Sequence, residues 1–101
     1  MVARNIAVDI VVASLNEVFA QLGTPPLDRV SDDTVLVGND AVIDSIGVVS
    51  LIVEVEQRLE AEQGVSVTLA NDKAMSAKNS PFRTVGVLSD HIVALAAEAA
   101  S

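Results

Sequence analysis

The chain predicts an all-α fold, a compact bundle of three long helices and one short one, with a long loop between the first two. Three observations carry this. Apolar residues recur at helical spacing in three segments, near 5–22, 45–61 and 82–99. Breaks rich in Gly, Pro and Asp separate those segments. Strand-like alternation occurs only at Val65-Ser66-Val67-Thr68-Leu69, with no clear pairing partner nearby, so no sheet is expected. At 101 residues the chain makes a single domain over 1–101.

The first helix is expected over 5–22, with Ile6, Ile10, Val11, Leu15, Val18, Phe19 and Leu22 inward. Gly23 stops it and Thr24-Pro25-Pro26 prevents continuation. From Thr24 to Asp44, Leu27, Val30, Val35, Leu36, Val37, Val42 and Ile43 interleave with Asp28, Asp32, Asp33 and Asp40. About twenty structureless residues are unusual in a compact domain. This loop should therefore be ordered and fold back over the helices, with a short helical turn near 27–31 or 34–37. The second helix starts at Ser45 and runs to about Ala61 or Glu62, with Val48, Leu51, Ile52, Val55 and Leu59 as its core stripe and Gly64 closing it. Val65–Leu69 is an extended link whose apolar side chains plug the bundle. Residues 70–76 form the short helix and 77–81 a loop. The last helix covers 82–99, with Val85, Leu88, Ile92, Val93 and Leu95 inward, and frays from Ala96.

Hydrophobic residues make up 50 % of the chain, yet there are two Phe and no Trp or Tyr, so the core is aliphatic. Valine-rich helices have reduced intrinsic propensity, and tertiary packing has to decide them. The formal net charge is −8, from 14 acidic and 6 basic residues. That argues against nucleic-acid or anionic-membrane binding, where Lys and Arg must neutralise phosphate. It suits a soluble partner steered toward basic protein surfaces. Without cysteine there is no disulfide framework, thiolate zinc site or protein thiol nucleophile. Residues 5–22 are apolar, but Asp9, Asn16 and Glu17 interrupt them and no basic leader with a small-residue cleavage site accompanies them. No uncharged apolar run is long enough to span a membrane. A cytoplasmic monomer is expected, with no nucleic-acid partner and no membrane insertion.

The segment with the most chemical content is 38–60, GNDAVIDSIGVVSLIVEVEQRLE. It sets Asp44-Ser45-Ile46 where an acidic, apolar loop becomes a long amphipathic helix. On Asp44 and Ser45 alone the bland reading is a helix N-cap, where both residue types are favoured. A serine at a helix start is also well placed to carry a phosphate-linked group, because free backbone N–H groups and the helix dipole stabilise anions there. The triplet, its loop and its helix together resemble the attachment site of acyl carrier proteins, and the layout of the flanking helices extends the likeness over nearly the whole chain.

The resemblance implies an acyl-carrier-like bundle and a shuttle, not an enzyme. Ser45 would bear covalent 4'-phosphopantetheine, making a phosphoprotein that holds intermediates as thioesters. Asp44 would belong to the surface read by a phosphopantetheinyl transferase. The helix after the serine would dock partners through Ile46, Val49, Val53 and Glu56, with an acyl- or aminoacyl-loading enzyme upstream and synthases, transferases or modifying enzymes downstream. Fatty-acid carriers typically place acids soon after the serine, where this chain has Gly47 and Ser50. That departure, and Lys73, Lys78 and Arg83 in the second half, favour a discrete carrier of a polyketide, nonribosomal peptide or aminoacyl-transfer pathway over general fatty-acid synthesis. The Asp44–Val49 run also resembles stand-alone carriers such as the D-alanyl carriers of cell-wall modification.

Other readings compete. The only histidine, His91, lies beside Asp90 in the last helix, far in sequence from Ser45. It reads as an ordinary surface or boundary residue, which leaves Ser45 without a base and disfavours a Ser-His-Asp hydrolase. Glu54 and Arg58 form an i,i+4 pair worth a few tenths of a kcal/mol on a solvated face. Met75 and Phe82 flank the 78–81 loop and read either as core or as the mouth of the bundle. A helical adaptor without a prosthetic group predicts the same fold with an unmodified serine. An acidic calcium module fails, because the Asp spacing does not match the EF-hand pattern.

Overall fold

Helix α1, Arg4–Gln21, is the element on which the other two helices pack. The computed structural model describes residues 2–23, 30–36, 43, 45–69 and 82–99. Helix α2 is Ser45–Gln63 and helix α3 is Val85–Ala99. Each lies against α1, and no close backbone approach joins α2 to α3 among the described residues. Because α1 meets a neighbour on two sides, it buries Ala7, Ile10, Val11, Ser14, Leu15, Val18 and Phe19. The Cα radius of gyration, 12.6 Å, is close to the ~13 Å of a folded 100-residue domain. No described helix is long and apolar enough to cross a membrane.

The helix ends follow local chemistry. Gly23 (φ 72°) and Gly64 (φ 65°) adopt the left-handed conformation that stops a helix with little strain. The Gly64 and Val65 amides donate to the Glu60 and Leu59 carbonyls at 3.1 and 3.2 Å. Helix α2 thus reaches Gln63, slightly beyond the expected end. Leu22, expected inward, is 51 % exposed. It lies past the last turn of α1, just before the chain turns away at Gly23.

The last helix begins at Val85, not at residue 82. Residues 30–36 account for the difference. Ser31-Asp32-Asp33-Thr34 closes on itself: the Thr34 amide donates to the Ser31 carbonyl at 3.0 Å, and Thr34 Oγ1 accepts from the Ser31 amide at 3.0 Å. Beyond this turn, Val35 and Thr84 form an isolated antiparallel bridge, with the Leu36 amide donating to the Arg83 carbonyl at 2.8 Å. The loop then satisfies amides that a helix start leaves open. Val85 donates to Thr34 O at 3.0 Å and Gly86 to Asp32 O at 2.9 Å. Thr84 Oγ1 caps the helix by accepting from the Val87 amide at 3.1 Å. Arg83 and Thr84 are therefore committed to the bridge and the cap. Gly86 lets the loop approach closely: a Cβ there would stand 3.0 Å from Asp32 Cβ and 3.1 Å from its carbonyl oxygen, so the loop would have to give way slightly. Arg4 adds ion pairs to Asp32 (2.9 Å) and Asp90 (2.8 Å), tying the start of α1 to the loop and to α3.

The core is aliphatic, as expected. From outside the helices it takes Val2, Leu36, Ile43, Leu69 and Phe82, all buried. Val65 and Val67 pack against it, so the 65–69 link plugs the bundle without forming a strand. Of the inward residues expected in α3, Val85, Leu88 and Ile92 are buried, while Val93 and Leu95 pack at its edge. No sheet occurs among the described residues. The expected short helix at 70–76, the 77–81 loop, Met75, Lys73 and Lys78 lie outside the described residues, as do 27–29 and 37 within the expected loop turns.

Candidate functional site: the start and outer face of helix α2

Ser45 is the first residue of α2. Its side chain, and the whole of Asp44, lie outside the described residues. The first turn of α2 contains no acidic residue, so none of its own side chains adds negative charge at the positive end of the helix dipole. Gly47 is buried, whereas Ile46 turns its side chain outward.

Helix α2 has two apolar faces. The inner one, Leu51, Ile52, Val55 and Leu59, is buried in the core, with Val48 at its edge. The outer one is Ile46, Val49 and Val53, exposed by 73 %, 61 % and 45 %. Spacings of three and four residues put these on one side of the helix. Three of the five exposed large apolar residues of the described chain therefore form one stripe starting beside Ser45.

Glu56 continues that stripe one turn further on. It is half-buried and accepts a hydrogen bond from the Leu69 amide at 3.0 Å. Alternation at 65–69 indicated a packed link, but nothing in it identified the carboxylate that holds the link. Arg58 lies 3.6 Å from Glu54 and 3.7 Å from Glu62, so the expected i,i+4 pair forms and a second joins it. Glu56 and Glu60 form no ion pair among the described residues. Asp9 is exposed on α1.

His91 has the boundary position expected of it. Its ring stands edge-on to Phe82, with centroids 6.1 Å apart and an 86° interplanar angle. Its Nε2 is buried and has no hydrogen-bond partner among the described residues. Asp90 binds Arg4. Phe82 is buried and reads as core. No group of three or more His, Asp or Glu able to hold a metal occurs among the described residues. The chain matches no protein-family model, no curated protein and no solved structure.

Proposed function

We propose that this chain is a non-catalytic docking module working through α2, and that it serves as a discrete carrier with 4'-phosphopantetheine on Ser45. One observation carries the reading: α2 opens at Ser45, and the residues that follow turn Ile46, Val49 and Val53 to solvent while the opposite face fills the core. The arm supplies the thiol that a chain without cysteine lacks. The chain itself contributes the attachment hydroxyl, amides that favour an anion at the helix start, and an apolar stripe with acidic residues beyond it. Activation of the hydroxyl belongs to the transferase. The departures at Gly47 and Ser50 favour a dedicated biosynthetic pathway, with loading and downstream enzymes as partners.

A helical adaptor with no prosthetic group is the second reading. The lack of any family match favours it, since nothing independent of the segment around Ser45 indicates thioester chemistry. Both readings use the same face of α2. Intact mass after incubation with coenzyme A and a broad-specificity phosphopantetheinyl transferase separates them. A carrier gains one phosphopantetheinyl group, and Ser45→Ala gains none. No gain by the unaltered chain rules against the carrier and leaves the adaptor reading, and a gain by Ser45→Ala moves the site elsewhere.

A further inference from the structure

The docking stripe and the 65–69 link meet at one side chain. Ile46, Val49, Val53 and Glu56 follow each other at spacings of three, four and three residues, so Glu56 closes the apolar stripe at its far end. The same carboxylate holds the Leu69 amide, thirteen residues on, through Oε2 at 3.0 Å. Among the described residues this is the one hydrogen bond tying 66–69 to a helix. Leu69 itself is fully buried, and Val65 and Val67 lie against the core. A single carboxylate thus does for this extended segment what a neighbouring strand would do in a sheet.

Charge identifies what else the carboxylate attracts. Arg58, the only cation on α2, is already shared between Glu54 and Glu62. Glu56 therefore forms no ion pair among the described residues; it is an anion at the end of an apolar stripe, on a chain of net charge −8. A basic protein surface that covers Val49 and Val53 brings its cations to this point. A guanidinium pairs best with both carboxylate oxygens at once, and a carboxylate that swings outward to meet one on a partner moves away from the Leu69 amide.

We propose that Glu56 is a docking-released strap: an arginine of a basic protein bound along Ile46–Glu56 draws the carboxylate off the Leu69 amide and loosens the 65–69 link from the core. The proposal rests on the reading of α2 as the docking face. It adds that docking on the outside of α2 alters the segment beyond its end.

The test is hydrogen exchange of the Leu69 amide, followed by NMR on the full chain. The chain is measured alone and with an equimolar broad-specificity phosphopantetheinyl transferase, without coenzyme A. Free protein should protect Leu69. Glu56→Ala should lose about tenfold or more of that protection, the scale of a hydrogen bond to a charged group. Glu56→Gln, which keeps an acceptor oxygen, should retain most of it. Adding transferase should raise Leu69 exchange about tenfold in the unaltered chain and far less in Glu56→Gln, whose neutral amide does not draw a guanidinium. Equal protection in Glu56→Ala and the unaltered chain overturns the strap. Amide shifts along Ile46–Val53 on adding transferase, with Leu69 exchange unchanged, overturn its release alone. No shifts along α2 overturn the docking reading and the release with it.

Discussion

Helices α1 and α2 are nearly the same length, 18 and 19 residues, and both are rich in aliphatic side chains. They meet solvent very differently. Helix α1 has α2 on one side and α3 on another, so its apolar residues are spent on packing and its outer surface is polar, with Asn5, Asp9, Asn16, Glu17 and Gln21 exposed. Among the described helices α2 packs against α1 alone, yet it carries a second apolar stripe that is exposed. An exposed valine contributes little to folding, because its area stays in water. Single exposed apolar residues are common, but an aligned group beside a helix start reads as a contact surface. The difference separates residues that hold the fold from residues available for binding.

Three substitutions and one control break or sharpen this contrast. The largest effect belongs to α1: Leu15→Ala, at a fully buried position, should cost about 2–5 kcal/mol through lost burial and a cavity, measured by urea unfolding. A cost under 1 kcal/mol would mean that α1 is not the centre of the bundle. Next is the junction that positions α3. Gly86→Ala forces a methyl against Asp32, whose Cβ and carbonyl oxygen leave 3.0 and 3.1 Å. It should cost about 1–3 kcal/mol, the usual range for overpacking. A neutral result would show that residues 30–36 move aside freely. The smallest effect on stability belongs to the outer face of α2. Val53→Asp should leave unfolding within about 0.5 kcal/mol while sharply slowing modification by the transferase. Charge reversal at the exposed Asp9 of α1 should disturb neither. If Val53→Asp is modified at the normal rate, or if Asp9 reversal does more damage, docking lies elsewhere.

Periodicity placed α1 and α2 within a residue or two of their observed ends, because both terminate at local signals: a glycine in the left-handed conformation and, after α1, two prolines. Period alone also identified Leu51, Ile52, Val55 and Leu59 as core. It failed at the start of α3, where Phe82 and Val85 fit a helical repeat. The 30–36 loop instead engages Arg83, Val85 and Gly86 and leaves Thr84 as the cap. Helix spacing is a property of neighbours along the chain, whereas this boundary depends on hydrogen bonds from a segment about fifty residues away.

The site divides the same way. The amino-acid sequence by itself determined that a serine follows an aspartate ahead of an aliphatic helix, that Ile46, Val49 and Val53 share one side of it, and that no protein thiol is available. Tertiary structure decided which of the helix's two apolar stripes is covered, because that depends on where α1 lies. It also gave Glu56 a second task. A carboxylate on a helix face looks the same in sequence whether it meets water or the amide of Leu69, and only the return of the chain after Gly64 brings the two within hydrogen-bonding distance.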